Sequence, residues 1–372
     1  MKHDKVKSFH DLIEEVQSRG ICGRCGGCVA FCSAGELHAL RFGKDGVAEF
    51  ANEDSCLKCG ICYLVCPEIK VLDDELRKKF HWKKPIGFYR NLRSAKTTVQ
   101  KVASEATDGG VVTSLLLYAL EKNLIDGAVV SHRTGPFSRV PAVVTTAEEI
   151  IDAAGSHFDD VASLGKFGSS YTSFVPGIKE LGKLRQRGLN KLAFIGTPCQ
   201  VYSLRKMQAL KVVPSDNIAL VIGLFCMENF SFTKRARQKL GKNLGVNLDN
   251  VVKLNIKDDI IMTMSSGAVL HVPFEIMDEV ARSACFACSD FANEYADISC
   301  GGLGSPDGYT TVMVRTSEGE RLYNGARQKG FIKEMKFRKK EQSLLHRTTQ
   351  MAKIVSFTRR KQERKKRVMR SL

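Results

Sequence analysis

CLKCGICYLVCP, the stretch from Cys56 to Pro67, decides the fold of the first part of this chain. Its four cysteines follow the spacing C-x2-C-x2-C-x3-C-P, which is typical of a loop that holds a [4Fe–4S] cluster. A second run with the same spacing precedes it and consists of Cys22, Cys25, Cys28 and Cys32. Ser33 stands where the first run has its proline. Two such runs in one register indicate two iron–sulfur clusters.

The spacing also predicts which cysteines act together. In a two-cluster arrangement, three cysteines of a run wrap one cubane and the fourth ligates the other cluster. We therefore expect a first cysteine group made of Cys22, Cys25, Cys28 and Cys66. The second cysteine group would consist of Cys56, Cys59, Cys62 and Cys32. Structural zinc is the main alternative, but zinc sites use paired C-x2-C units rather than a triple run.

Composition limits the class of protein. The 372 residues are 43% hydrophobic and carry a formal net charge of +17, and the length suffices for two or three domains. No signal peptide and no apolar run long enough for a membrane span is found, so we expect a cytoplasmic protein. A peripheral position at the inner face of the membrane, through a partner, stays open. Thirteen cysteines then indicate metal or redox chemistry rather than disulfides.

Three parts are expected along the chain. Residues 1–85 are predicted to hold an amphipathic helix, an α+β ferredoxin-like two-cluster domain with a small hairpin at residues 38–50, and a charged linker that closes at Pro85. Residues 86–330 alternate strands with helices, which predicts an α/β flavin-binding domain. Within it, residues 251–272 are expected to form β-hairpins. Residues 331–372 are predicted to be a basic tail.

The basic tail has three interpretations. It could be a solvated, partly helical segment, a docking segment for an acidic partner, or one for an anionic membrane surface. Nucleic acid is disfavoured because no aromatic residues are interleaved with the charges.

Five cysteines lie outside the two runs, and four of them could form a third cysteine group. The five are Cys199, Cys226, Cys285, Cys288 and Cys300. Cys199 and Cys226 follow predicted strands, and carboxyl ends of strands in an open sheet gather at one edge, where ligands bind. The first four could therefore converge on another [4Fe–4S] cluster. Buried apolar cysteines with an incidental C-x2-C pair are the alternative, and Cys300 stays unassigned.

Four short segments resemble the β subunits of coenzyme F420 hydrogenases and dehydrogenases. They are DGGVVTS at 108–114, GSSY at 168–171, GTPCQ at 196–200 and CFACSDF at 285–291. The resemblance covers roughly residues 95–315 and implies bound FAD, coenzyme F420 as substrate, and a [4Fe–4S] cluster near the flavin. It assigns the ligands of that cluster to Cys199, Cys226, Cys285 and Cys288.

The same resemblance implies a set of flavin contacts. They are Gly109, Gly110, Thr113, Ser114, Ser169, Ser170, Tyr171, Gly196, Thr197 and Pro198. The two glycines also fit on their own, because they precede an apolar helical run whose free amides would favour a pyrophosphate. Family members often have lysine where Ser170 stands. Lys166 is a candidate for holding the acidic tail of F420, and no catalytic side chain is assigned.

These parts predict an iron–sulfur flavoprotein, an oxidoreductase with FAD and three [4Fe–4S] clusters. It would exchange a hydride with F420 at FAD and pass single electrons to or from a partner redox subunit or membrane complex, since a flavin can do both. Two alternatives remain: an F420-independent flavin reductase of the same family, and a flavin-free electron-relay subunit. The partner would dock through the ferredoxin domain and the basic tail. Deleting residues 355–372 is then expected to leave F420 oxidation with a dye intact.

Overall fold

An eight-stranded mixed sheet forms the centre of the larger part of the chain. A computed structural model describes residues 6–135, 137–155, 168 and 188–371. The strands are β1 Leu40–Phe42, β2 Ala48–Phe50, β3 Asn91–Thr97, β4 Gly127–Gly135, β5 Ser138–Val144, β6 Leu192–Gly196, β7 Ile218–Leu224, β8 Val251–Ile256, β9 Ile260–Met264, β10 Val269–Val272, β11 Ile298–Gly301, β12 Thr310–Val314 and β13 Ile332–Glu334. The order in the large sheet is β13-β3-β12-β11-β7-β6-β4-β5.

The middle of this sheet is parallel and its flanks are antiparallel. Strands β4, β6, β7 and β11 run in the same direction, so their carboxyl ends share one edge. Strands β12, β3, β13 and β5 pair antiparallel at the two sides. Side chains alternate across β6: Ala193 packs into a core on one face and Phe194 into a core on the other. A sheet buried on both faces explains why this strand is apolar throughout.

Helices cover both faces of the sheet and build the N-terminal unit. They span Phe9–Leu12, Gly27–Ala34, Ile61–Leu64, Asp73–Lys79, Gln100–Glu105, Val111–Glu121, Ala147–Asp152, Pro198–Leu210, Lys234–Leu244, Phe274–Met277, Ser283–Phe286, Ser317–Gln328 and Lys340–Ser371. No helix among the described residues is long and apolar enough to cross a membrane.

The N-terminal unit confirms two local predictions. The expected amphipathic helix is present at Phe9–Leu12 and continues as a π turn, and its apolar side chains are buried against the cysteine-rich loops. The expected hairpin is formed by β1 and β2. In each cysteine run a helix begins between the second and third cysteine. The residue before each helix is a glycine with positive φ, Gly26 at 85° and Gly60 at 78°, a conformation that favours glycine.

Strands β8, β9 and β10 form a separate three-stranded antiparallel sheet. This arrangement confirms the hairpins expected for residues 251–272.

The charged stretch predicted as a linker is instead packed into the structure. Leu76, on the helix Asp73–Lys79, is fully buried, and the indole of Trp82 donates a hydrogen bond to Glu294. The residues that follow enter β3, which lies between β12 and β13. The helix has acidic residues in its first turn and basic ones in its last, an order that stabilises the helix through its dipole. The linker prediction considers only the number of charged residues and not their order along the chain.

The prediction of a separate basic tail is wrong. Strand β13 belongs to the large sheet, and residues 340–371 form one helix, called here the C-terminal helix. Four of its side chains are at most 1% exposed: Gln350, Ile354, Thr358 and Lys361. They recur every three or four residues and so lie on one face. Because three of the four are polar, the composition concealed the buried face.

Candidate iron–sulfur and cofactor site

The structure brings the cysteines of the two runs together in two sets. One cavity is lined by Cys22, Cys25, Cys28 and Cys66, the first cysteine group. A second cavity is lined by Cys32, Cys56, Cys59 and Cys62, the second cysteine group. Each group draws on both runs, as the ferredoxin-like spacing predicts. All thirteen cysteines are free thiols, and their role as ligands remains a prediction.

Burial makes these thiols hard to ionise without a bound cation. Burial raises the pKa of Cys25 to about 12, and the nearby Cys66 thiol adds to the effect. The pKa values of Cys62 and Cys66 are also raised to about 12, again mainly by burial. A cluster needs thiolate ligands, and its iron would supply the positive charge that stabilises them. Among the described residues, no three His, Cys, Asp or Glu side chains are arranged to hold a single metal ion.

The third cysteine group is assembled from separate elements. Cys199 lies in the first turn of the helix after β6, and Cys226 follows β7. Cys285 lies in the short helix Ser283–Phe286, and Cys288 comes just after it. Burial raises the pKa of Cys199 and of Cys226, and in both cases the thiols of Cys285 and Cys288 contribute. The sheet edge therefore brings the four thiols together.

The third cysteine group lies against the first. The Cys25 thiol is close enough to raise the pKa of Cys199, and Cys199 lines the cavity of the first group. Arg282 Nη1 donates to the carbonyl of Gly23 at 3.0 Å, which links the Cys285 segment to the run that begins at Cys22. In the second group, Cys59 is exposed. Besides burial, the Cys62 thiol of the second group contributes to the raised pKa of Cys28 in the first, so the three groups form a series from the sheet edge towards the surface.

The C-terminal helix supplies two basic side chains to the third cysteine group. Lys361 Nζ donates to the carbonyls of Cys226, at 3.0 Å, and Asp290, at 2.9 Å. Burial alone would lower the pKa of Lys361, but the neighbouring thiols raise it above its ordinary value. Arg364 Nη1 lies 3.0 Å from Glu228 Oε2, whose side chain is fully buried. No motif in the sequence connects these two residues with the cysteines.

A cavity of about 260 Å³ opens at the carboxyl edge of the parallel strands. Four predicted flavin contacts line it: Gly110, Thr113, Gly196 and Thr197. Val111, Val112 and Thr113 also line it, so the first turn of the helix Val111–Glu121 faces the cavity. That turn fits a phosphate, because its amides lack partners within the helix.

The other predicted flavin contacts either do not line the cavity or fall outside the described residues. Gly109 N donates to Thr310 Oγ1 at 3.0 Å, and a Cβ on Gly109 would lie 2.5 Å from Thr310 N. Ser114 is fully buried and its hydroxyl donates to Thr97 Oγ1. Pro198 occupies the first turn of its helix. Lys166, Ser169, Ser170 and Tyr171 lie outside the described residues.

Three cavity residues have unusual environments that the sequence did not reveal. Burial raises the pKa of Asp108 to about 6, against the opposing effect of Lys257. Burial also raises the pKa of Glu228, and that of Cys300 to about 12. All three line the cavity. Asp108 stands directly before the glycine pair, which is the one signal in the sequence that could have drawn attention to it.

The cavity and the third cysteine group share a wall. Cys226 belongs to the group and lines the cavity. Thr197, at the end of the neighbouring strand β6, also lines the cavity, and its hydroxyl lies 3.4 Å from Cys199 Sγ. Fold and site together describe an α/β protein in which a cavity at the sheet edge adjoins a series of clustered thiols.

Comparison with known proteins places the chain in a family. Two models match: the N-terminal part of the coenzyme F420 hydrogenase/dehydrogenase beta subunit at residues 93–166, and its C-terminal part at residues 189–340. The chain therefore belongs to the coenzyme F420 hydrogenase/dehydrogenase beta subunit family, a family of oxidoreductases.

Two curated relatives and one solved structure show how far the likeness extends. The beta subunit of coenzyme F420 hydrogenase from Methanothermobacter thermautotrophicus is 32% identical over 252 residues, covering 66% of this chain and 84% of the relative. A coenzyme F420-dependent sulfite reductase from Methanocaldococcus jannaschii is 31% identical over 337 residues, covering 85% of this chain. The chain spans 48% of that enzyme's length.

The solved structure is a chain of the F420-reducing [NiFe] hydrogenase complex from Methanosarcina barkeri. It superposes with a TM-score of 0.65 at 28% identity and covers 78% of this chain and 94% of its own. This likeness confirms the mixed α and β architecture.

Proposed function

We propose that this protein is an iron–sulfur flavoprotein that exchanges a hydride with coenzyme F420 at FAD and passes single electrons through three [4Fe–4S] clusters to or from a partner complex. The observation that carries the proposal is the shared wall between the cavity and the third cysteine group, formed by Cys226 and Thr197. The relatives that are named for F420 support the substrate, and those named as a subunit or a complex support the partner.

Residues of the cavity account for binding and orientation. The first turn of the helix Val111–Glu121 would receive the pyrophosphate of FAD. Gly110 has φ 65° and caps that turn without a side chain, so the backbone can approach the phosphate closely. Asn293 Nδ2 donates to the carbonyls of Gly196 and Leu224, which fixes the ends of β6 and β7 under the cavity. Bound FAD would supply the conversion between hydride and single-electron transfer.

The cysteine groups account for the path to a partner. The third group adjoins the cavity, the first group adjoins the third, and the second contains the exposed Cys59. We propose that each holds one [4Fe–4S] cluster with the ligands assigned above. A partner redox subunit would then exchange electrons at the second group, next to Leu57, which is 70% exposed.

Anaerobic purification followed by flavin extraction, iron counting and a visible spectrum tests this function. We expect FAD, about twelve irons per chain, and bleaching of the visible absorption when reduced F420 is added. FAD without bleaching would favour an F420-independent flavin reductase of the family. Iron without flavin would contradict the proposal and leave only an electron relay.

A further inference from the structure

Lys361 is a basic residue buried where a lysine is rarely found. Its side chain comes from the C-terminal helix and is 1% exposed. Lysine is almost never fully buried unless it is paired. Both hydrogen-bond acceptors of its ammonium are main-chain carbonyls, those of Cys226 and Asp290. The lysine therefore joins the segment after β7 to the segment after Cys288.

The neighbouring arginine, Arg364, differs from Lys361 in that it has carboxylate partners. Arg364 lies one turn further along the helix and forms ion pairs with Glu228, at 3.0 Å, and with Asp278, at 3.8 Å. Within the described residues, no carboxylate lies at ion-pair distance from Lys361 Nζ. The charge of Arg364 is therefore offset by carboxylates at ion-pair distance. The charge of Lys361 interacts most strongly with the thiols of Cys288, Cys226 and Cys285, and less with the carboxylate of Asp290.

We propose that Lys361 is a positioning residue of the third cysteine group, and that its fixed positive charge makes a cluster bound there easier to reduce. This inference rests on the proposed function, because it takes a cluster at that group for granted. Reduction adds negative charge to a cluster, and a nearby cation stabilises negative charge strongly where water is excluded. Net charge, hydrogen bonding and exposure are the properties by which proteins set iron–sulfur potentials.

The position of the third group gives this charge a consequence for electron flow. The group lies between the cavity and the first cysteine group, so its potential governs how readily an electron leaves the cavity. The first group has its own buried lysine, Lys206, whose ammonium donates to the carbonyls of Cys66 and Ile69. Lys361 and Lys206 thus share a geometry, because each donates to the main-chain carbonyl of one cysteine of its group.

The test is a potentiometric titration of the anaerobically purified full chain, followed by electron paramagnetic resonance. Lys361→Met keeps a long side chain and removes the charge and the donors, whereas Lys361→Arg keeps the charge. Lys353→Met is the matched control, because Lys353 lies on the same helix, is partly exposed and pairs with Asp258. We expect Lys361→Met to shift the reduction equilibrium of one cluster about tenfold against reduction, which is 59 mV for one electron. The two other variants should keep the wild-type potentials.

Iron content separates the possible failures. Wild-type protein with about eight irons would contradict the three-cluster function itself, before Lys361 is tested. Lys361→Met with full iron and unchanged potentials would overturn the role of Lys361. If Lys361→Met loses the cluster, Lys361→Arg decides the question. Full iron and a wild-type potential in Lys361→Arg support the proposed role of the positive charge, and an equal loss of iron overturns it.

Discussion

The N-terminal cysteine groups and the third cysteine group are built in different ways. The first two come from two short runs, and in each run the four cysteines lie within eleven residues of one another. The third draws on two strand ends and a C-x2-C segment, and it is closed by a helix more than seventy residues further along the chain, as the Cys285–Lys361 numbering shows. A local motif fixes the first kind of site, whereas the whole fold must form before the second exists.

Deleting residues 355–372 should give the largest difference between the two kinds of site. The deletion removes Lys361 and Arg364 and leaves Glu228 buried without its partner, and breaking a buried ion pair costs about 3–5 kcal/mol. We expect low soluble yield, a lower melting temperature and loss of dye-linked activity, which replaces the expectation that dye activity survives. Soluble expression and thermal unfolding measure this.

Substituting Leu344 and Leu345 by alanine is the matched control for that deletion. Both residues lie on the same helix and are 60% and 69% exposed, so their loss should leave the melting temperature nearly unchanged. A deletion variant with wild-type melting temperature and iron content would show that the helix is dispensable.

Asn293→Ala should give an intermediate effect, confined to the site built by the fold. Asn293 is fully buried, and its amide donates to Gly196 at 2.9 Å and Leu224 at 3.2 Å. Leaving carbonyls unpaired costs about 1–3 kcal/mol each, so the free energy of unfolding should fall by about 2–6 kcal/mol. Urea denaturation checks this, with the exposed Asn243→Ala as control. Equal stability of the two variants would show that Asn293 does not hold the strand ends.

Asp108→Asn should give the smallest effect, and one that depends on pH. Burial raises the folded-state pKa of Asp108 from 3.8 to about 6. Its contribution to stability is therefore fully present below about pH 4 and is lost as the pH rises through about 6. The asparagine variant avoids this loss, so it should be more stable than the parent at pH 8 by about 1–3 kcal/mol and closer to it at pH 5. Urea denaturation of both proteins at pH 5 and pH 8 measures the difference in stability. The same difference at both pH values would show that the ionisation of Asp108 is not its cause.

The contrast between the sites also explains what could be predicted from the sequence. The hairpin β1–β2, the sheet β8–β10 and the strands before Cys199 and Cys226 follow from local patterns of apolar and turn residues, and the structure confirms them. Strand β3 gives no clear strand signal, because its sequence NLRSAKT contains two basic residues and follows a charged stretch. Strand β13 is three residues long, too short for a periodic signal.

The C-terminal helix could not be interpreted correctly from composition. Its buried positions include Gln350, Thr358 and Lys361, and polar residues are usually taken as marks of a solvated surface. Gln350 Nε2 donates to Ser94 Oγ at 2.7 Å, and the hydroxyl of Thr358 donates to the carbonyl of Ile354. Gln350 and Lys361 are buried only because partners from distant segments satisfy them, and no local pattern reveals those partners.

Iron and acid-labile sulfide counts on Cys226→Ser test the central claim most directly. The claim is that the fold-built third cysteine group holds a cluster in addition to the two held by the local runs. Measured beside the parent after anaerobic purification, the variant should drop from about twelve irons to about eight, and the spectra of the two N-terminal clusters should remain. About eight irons in both proteins would contradict the account, because the third group would then hold no cluster.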